Sequence, residues 1–168
     1  FQLVEDAPLG LRVDVRNNIP LNVGLGAEEA MTIAGLMGAN NLMGMPLSRD
    51  ELVALGVELL GRADGLVAAM LGGLTLSTQG RDGLVVYRRV DISPVRVLVI
   101  LPELEDYASG TLELPETVPL EAALLTGGRQ ALMVEALRDG DFPLLSSVLD
   151  DPLLEPHLMR HIPAYKQV

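Results

Sequence analysis

At 168 residues, with 49% hydrophobic residues and only 3% aromatic, the chain is long enough for one domain or one and a half around a core of Leu, Val, Ala and Met. Its formal net charge of -11 is spread along the sequence, which argues against nucleic acid or an anionic membrane surface as a partner. The absence of Cys excludes disulfides and thiol chemistry and fits a reducing, cytoplasmic setting.

The opening FQLVEDAPLG has neither an initiator Met nor the basic start and apolar run of a secretory signal, as expected of a processed, trimmed or excerpted chain. Leu11, Val13 and Val15 then alternate with Arg12, Asp14 and Arg16, which predicts a half-buried strand. Asn17 and Asn18 turn it into PLNVGLGAEEAMTIAGLMGA, residues 20–39, a glycine turn feeding an apolar helix. That helix is expected from about Ala27 to Met43, with Gly44 as its stop and Pro46 beyond. Its Met31, Ile33, Ala34, Leu36, Met37 and Leu42 cover so much surface that packing on more than one side is expected. The charge-free stretch from Ala30 to Ser48 raises the question of a membrane span, but Asn40, Asn41, Pro46 and several glycines mark a buried helix plus turn.

A glycine turn before a helix aims unpaired first-turn N–H groups and the positive helix end at an anion. Here Glu28 and Glu29 stand at that start. As plain first-turn acids they are worth a few tenths of a kcal/mol each. A like charge ~4 Å away costs on the order of 4 kcal/mol at an effective dielectric near 20, so Glu28 is expected to oppose a triphosphate. The loop reads as a phosphate cradle filled from within.

Ser48 and Glu51 form an S-x-x-E capping box for a helix running through Leu52, Leu55 and Leu59 to Leu60. GRADG, residues 61–65, breaks it. LVAAML gives a short apolar helix ending at Gly72 and Gly73; LTLSTQ, a turn at Arg81 to Gly83, and LVVYRRV read as an antiparallel hairpin. The run RVLVIL, residues 96–101, suits a central strand. Residues 102–116 form a polar loop, and a helix is expected from Pro119 to Arg138, with close packing or a kink at Gly127 and Gly128. A shorter helix spans Pro143 to Leu149. Together these predict an α+β fold of helices layered on a mixed or antiparallel sheet, with residues 1–80 carrying the glycine loop and 81–168 forming a C-terminal α+β domain.

Five separated segments, IPLNVGLGAEEA, ELLGRADGLVAAMLGGL, VRVLVILPELE, LPETVPLEAALL and LLEPHLMRHIP, resemble the homoserine kinase family, within the superfamily of galactokinase, homoserine kinase, mevalonate kinase and phosphomevalonate kinase. The resemblance implies an ATP-dependent kinase acting on the homoserine hydroxyl towards threonine, with a phosphate loop at Pro20, Asn22, Gly24, Leu25, Gly26, Ala27 and Glu28. Phosphoryl transfer is chiefly positioning and charge neutralisation, so departures in this loop matter. Ala27 and Glu28 stand where the family carries two serines, and Leu60 where it carries a metal-binding glutamate. Thr111 aligns with the family's arginine that would hold the substrate carboxylate and Leu158 with a second arginine, whereas Arg129 and Arg160 remain at shifted positions that do not by themselves replace them. The family's first strands and its late glycine-rich motif have no counterpart in these residues.

The resulting expectation is a homoserine-kinase-like protein that has lost kinase competence and serves as a structural or interaction subunit. It needs no cofactor or metal and has a protein partner or further copies of itself. Two alternatives stay open: a working kinase with an altered site, using ATP and Mg2+ held by Glu28 or Glu58, and an amino-acid sensor with a pocket at Arg62, Asp64 and Arg129. His157 and His161 lack the further ligands of a zinc site and read as packing or surface residues; Asp150 and Asp151 before Pro152 read as a turn; Arg88 and Arg89 read as edge-protecting charges.

Overall fold

In the computed structural model the described residues are 10–21, 23–101 and 115–161. The chain divides into two compact units, Phe1–Val90 and Asp91–Val168. The expected boundary between residues 80 and 81 lies inside the turn of a hairpin belonging to the first unit.

The first unit contains helices α1 (Ala27–Leu42), α2 (Arg49–Leu60) and α3 (Asp64–Leu71), followed by strands β1 (Leu74–Gln79) and β2 (Val85–Val90). α2 starts on the capping box read from the sequence. Ser48 Oγ accepts from the Glu51 N–H at 3.3 Å, and Glu51 Oε2 accepts from the Ser48 N–H at 2.8 Å. These bonds hold the Glu51 carboxyl below its ordinary value. Gly61 ends α2 in the left-handed conformation, its N–H donating to Val57 O at 2.7 Å. GRADG is not all a break, however. Asp64 and Gly65 already belong to the first turn of α3.

The end of α1 is held by a buried asparagine. Asn40 Nδ2 donates to Leu47 O at 2.9 Å and its Oδ1 accepts from the Leu47 N–H at 3.0 Å, so one side chain satisfies both polar groups of a returning residue. The same turn forces Met45 to φ 61. The core then forms where α1, α2 and α3 converge on Ile33, Leu52 and Leu66, with Leu36, Leu47, Val57, Leu60 and Met70 packed against it. Gly56 permits this approach, since a Cβ there would lie 2.8 Å from Leu66 Cδ1. α1 is covered on one side only among the described residues. Met31, Met37 and Leu42 are exposed, contrary to the packing expected from its broad apolar surface.

β1 and β2 pair antiparallel from Leu74 with Val90 to Gln79 with Val85, as the hairpin reading requires. Asp82 Oδ1 accepts from the Leu84 N–H at 3.1 Å and Gly83 takes φ 82 in the turn. Tyr87 Oη donates to Asp50 Oδ1 at 2.5 Å, tying β2 to α2 and pushing the phenol above its ordinary pKa, with burial and the Asp50 charge adding to that rise.

The second unit contains α4 (Leu120–Asp139), α5 (Phe142–Val148) and α6 (Glu155–His161). α4 packs on α5, burying Ala136 and Val148. Ser93 closes the end of α4, with its N–H donating to Leu137 O and its Oγ to Arg138 O, both at 2.9 Å. Gly127 and Gly128 correct the sequence reading: α4 runs through both, and a Cβ on either would meet nothing within 4 Å. α5 begins on Asp141, whose Oδ1 accepts from the Leu144 N–H at 3.0 Å.

Two expected strands do not pair. Leu11, Val13 and Val15 are exposed and residues 10–16 lie in no sheet; the run 96–101 is likewise outside any sheet, with Val97 and Leu98 exposed. A strand is defined by its partner's backbone groups, and the described residues place none beside either segment. The observed architecture is therefore α+β, with one two-stranded antiparallel sheet among the described residues. No helix among them is long and apolar enough to cross a membrane.

Candidate functional site

The site lies within the first unit, where the glycine loop meets the starts of α1 and α3. Asn17 shapes the approach: its side chain accepts from the Ile19 N–H and donates to Ile19 O, both at 2.9 Å, a local turn that bends the chain before Pro20. Gly24 and Gly26 then take φ 74 and φ 75, a conformation open to glycine without a Cβ penalty. Gly26 is the N-cap of α1 and supplies no side-chain acceptor, although its carbonyl accepts from the Ala30 N–H at 2.9 Å. The first-turn N–H groups of α1 are thus left for something else.

An open cleft of about 1040 Å³ adjoins this turn. Pro20, Gly24, Leu25, Gly26, Ala27 and Glu28 all line it, so six of the seven residues of the expected phosphate loop are gathered there; Asn22 lies outside the described residues. Arg62 and Asp64 line the same cleft from the start of α3. Arg129, the third residue of the expected substrate pocket, belongs to the second unit and is engaged locally: its Nη1 donates to Asp150 O at 2.9 Å. Thr111 is outside the described residues.

Three carboxylates face one guanidinium in this cleft. Arg62 Nε donates to Asp64 Oδ1 at 3.1 Å and Nη2 to Asp64 Oδ2 at 3.2 Å, a two-point pairing; Nη2 also lies 3.7 Å from Glu29 Oε1. The Asp64 bonds, then the charges on Asp64, Glu29 and Glu28, raise the Arg62 pKa against the opposing effect of burial. Burial pushes the Asp64 carboxyl up, but hydrogen bonds from Arg62 and from the Gly65 and Asp64 N–H groups outweigh it, leaving a net lowering. Arg62 is therefore paired with Asp64 and lies beside Glu29 of its own chain.

Chemically, the cleft combines backbone donors and apolar walls with three carboxylates, one guanidinium and the hydroxyl-bearing Thr75. Positions 27–29 offer no hydroxyl. Leu60 packs against the Ile33, Leu52 and Leu66 core, and an aliphatic side chain provides no oxygen for a hard cation. Among the described residues no group of three or more His, Asp and Glu side chains could hold a metal ion.

Residues 1–73 match the family model described as GHMP kinases N terminal domain. A homoserine kinase of Carboxydothermus hydrogenoformans is 31% identical over 169 residues, covering 100% of this chain and 55% of the relative. The chain is homoserine-kinase-like. A provisionally assigned homoserine kinase structure from Listeria monocytogenes superposes with a TM-score of 0.61 at 26% identity, over 85% of this chain and 50% of that one. A homoserine kinase structure from Cytophaga hutchinsonii, at 23% identity and TM-score 0.68, covers 90% of this chain and 50% of its own and agrees in fold. This homoserine-kinase-like chain spans about half the length of the relatives it matches.

Sequence reasoning singled out Glu28 in this site and underrated Glu29 and Gly65. Glu28 is exposed, whereas the Glu29 side chain is only 13% exposed and lies against Gly65. The usable signal was the glycine itself, which stands at the second position of α3, where helix propensity disfavours it and a packing reason is therefore expected.

Proposed function

We propose that this homoserine-kinase-like chain does not carry out ATP-dependent phosphoryl transfer and serves as a structural or interaction subunit. The observation that carries the reading is the cleft's composition: among the described residues lining it, Glu28, Glu29 and Asp64 face Arg62 alone, and positions 27–29 at the start of α1 carry no hydroxyl. A triphosphate brought to within ~4 Å of one such carboxylate meets on the order of 4 kcal/mol of opposition at an effective dielectric near 20, and among the described residues lining the cleft the one cation, Arg62, is already paired with Asp64. No cofactor or metal is required by this reading.

A protein partner or a further copy is the expected associate, in a cytoplasmic setting. Supporting this is the apolar run Val97, Leu98, Val99, Ile100 and Leu101, all exposed, which has the composition of a strand and pairs with no strand among the described residues. The names of the relatives favour a second reading, an altered but active kinase for homoserine.

Calorimetric titration with ATP, with and without Mg2+, followed by homoserine, decides between them. The expected result is no nucleotide binding by the folded chain. Micromolar, Mg2+-dependent ATP binding, worth roughly -8 kcal/mol, would overturn the proposed loss of activity.

A further inference from the structure

We propose that Glu29 is the specificity-determining residue of the cleft, an internal occupant that bars phosphates from the glycine turn and is seated there by Gly65 and Arg62. The inference rests on the reading above and assigns the exclusion to one side chain. Glu28 and Glu29 are adjacent in sequence but differ in placement: Glu28 is exposed, and the Glu29 side chain is 13% exposed. A Cβ at position 65 would lie 2.7 Å from Glu29 Cγ, 2.9 Å from its Cδ and 3.0 Å from its Oε1, so the seat exists because residue 65 has no side chain. Oε1 also lies 3.7 Å from Arg62 Nη2. The other oxygen, Oε2, points to the glycine turn, 3.8 Å from where a Cβ on Gly26 would stand. The carboxylate, in the first turn of α1, therefore sits beside the start of α3, where the positive ends of both helix dipoles meet, and places there a negative charge of the kind a phosphate would bring. Arg62 is drawn in from the other side by Asp64, its Nε and Nη2 donating at 3.1 and 3.2 Å, so an incoming anion would compete with Asp64 for it.

The test uses the full 168-residue chain and magnesium-free inorganic tripolyphosphate as the probe, titrated calorimetrically into wild type, Glu29→Gln, Glu28→Gln and Gly65→Ala. Glu29→Gln removes the charge and keeps the shape. Gly65→Ala keeps every charge and intrudes on the seat, at a helical position that accepts alanine. At least tenfold tighter binding by Glu29→Gln than by wild type and Glu28→Gln is expected, with a gain of the same direction in Gly65→Ala. An equal gain in Glu28→Gln would overturn the assignment, since general charge reduction would then suffice. So would the absence of any gain in Glu29→Gln and Gly65→Ala with circular dichroism unchanged, or wild-type binding as tight as that of Glu29→Gln. Should Glu29→Gln fail to fold, Gly65→Ala decides alone, a gain supporting the inference and none overturning it. Wild-type binding of magnesium ATP is a separate result that defeats the proposed loss of kinase activity.

Discussion

The two units treat similar apolar material differently. In the first, Leu66, Val67 and Val53 are fully buried and the hairpin of β1 and β2 is closed; in the second, the equally apolar run 97–101 is exposed and in no sheet among the described residues. The hairpin has its partner a five-residue turn away, whereas a lone apolar segment must find its partner at long range. Apolar composition therefore predicts the desire for burial, and topology decides whether it is met.

The sharpest way to break this contrast is to delete matched side chains from each unit. Leu66→Ala removes a fully buried side chain from the α1, α2 and α3 junction and is expected to destabilise by about 2–5 kcal/mol in urea unfolding. Leu98→Ala, at a site 85% exposed, is expected to change stability by less than about 0.5 kcal/mol in the isolated chain. A comparable loss at both positions would show that the run 97–101 is buried in solution.

Next in size is Asn40→Ala, which leaves both the N–H and the C=O of Leu47 without their partner. About 2–3 kcal/mol of destabilisation is expected, and a neutral outcome in thermal melts would mean that water replaces the side chain at little loss. In the second unit Thr126 offers the converse experiment, being buried with its hydroxyl unpartnered. Thr126→Val is expected to stabilise by about 1 kcal/mol, measured by the same melts.

The smallest effect concerns pH. Because the folded-state pKa of Tyr87 is raised, its stabilising contribution is present below the ordinary phenol range and is lost as pH rises through the raised value. One tyrosine is therefore expected to ionise late in a spectrophotometric titration, and Asp50→Asn to bring it earlier. Glu51 and Asp64 have lowered values, so what they contribute is present above the ordinary carboxylate range and lost as pH falls through the lowered ones. Absence of any late tyrosine would remove the Tyr87 to Asp50 bond from the account of how β2 is tied to α2.

Much of the fold was legible because its signals are local. The capping pair Ser48 and Glu51, the left-handed stops at Gly61 and Gly140, and the hairpin around Asp82 and Gly83 all act within a few residues. The candidate site was legible in part: Gly24, Gly26, Arg62 and Asp64 were named, and they do line one cleft. Gly65 was read as part of a helix break, and Glu28 was preferred to Glu29, because adjacent acids look alike until the opposing helix is in place. Gly127 and Gly128 misled in the other direction, since a glycine pair in a helix suggests packing and here faces open space.

By itself, then, the sequence determined where α2 begins and ends, where the hairpin turns, and that a glycine loop with first-turn acids lies before α1, since each depends on dihedral preferences and hydrogen bonds between near neighbours; it missed the first turn of α3 and all of α6. Only the tertiary structure decided which acid turns inward, that Leu60 faces the core, and that the segments at 11–15 and 96–101 have no strand partner among the described residues. Those outcomes depend on what distant parts of the chain bring within a few ångströms, and in the site the deciding contact is the bare Cα of Gly65 against Glu29.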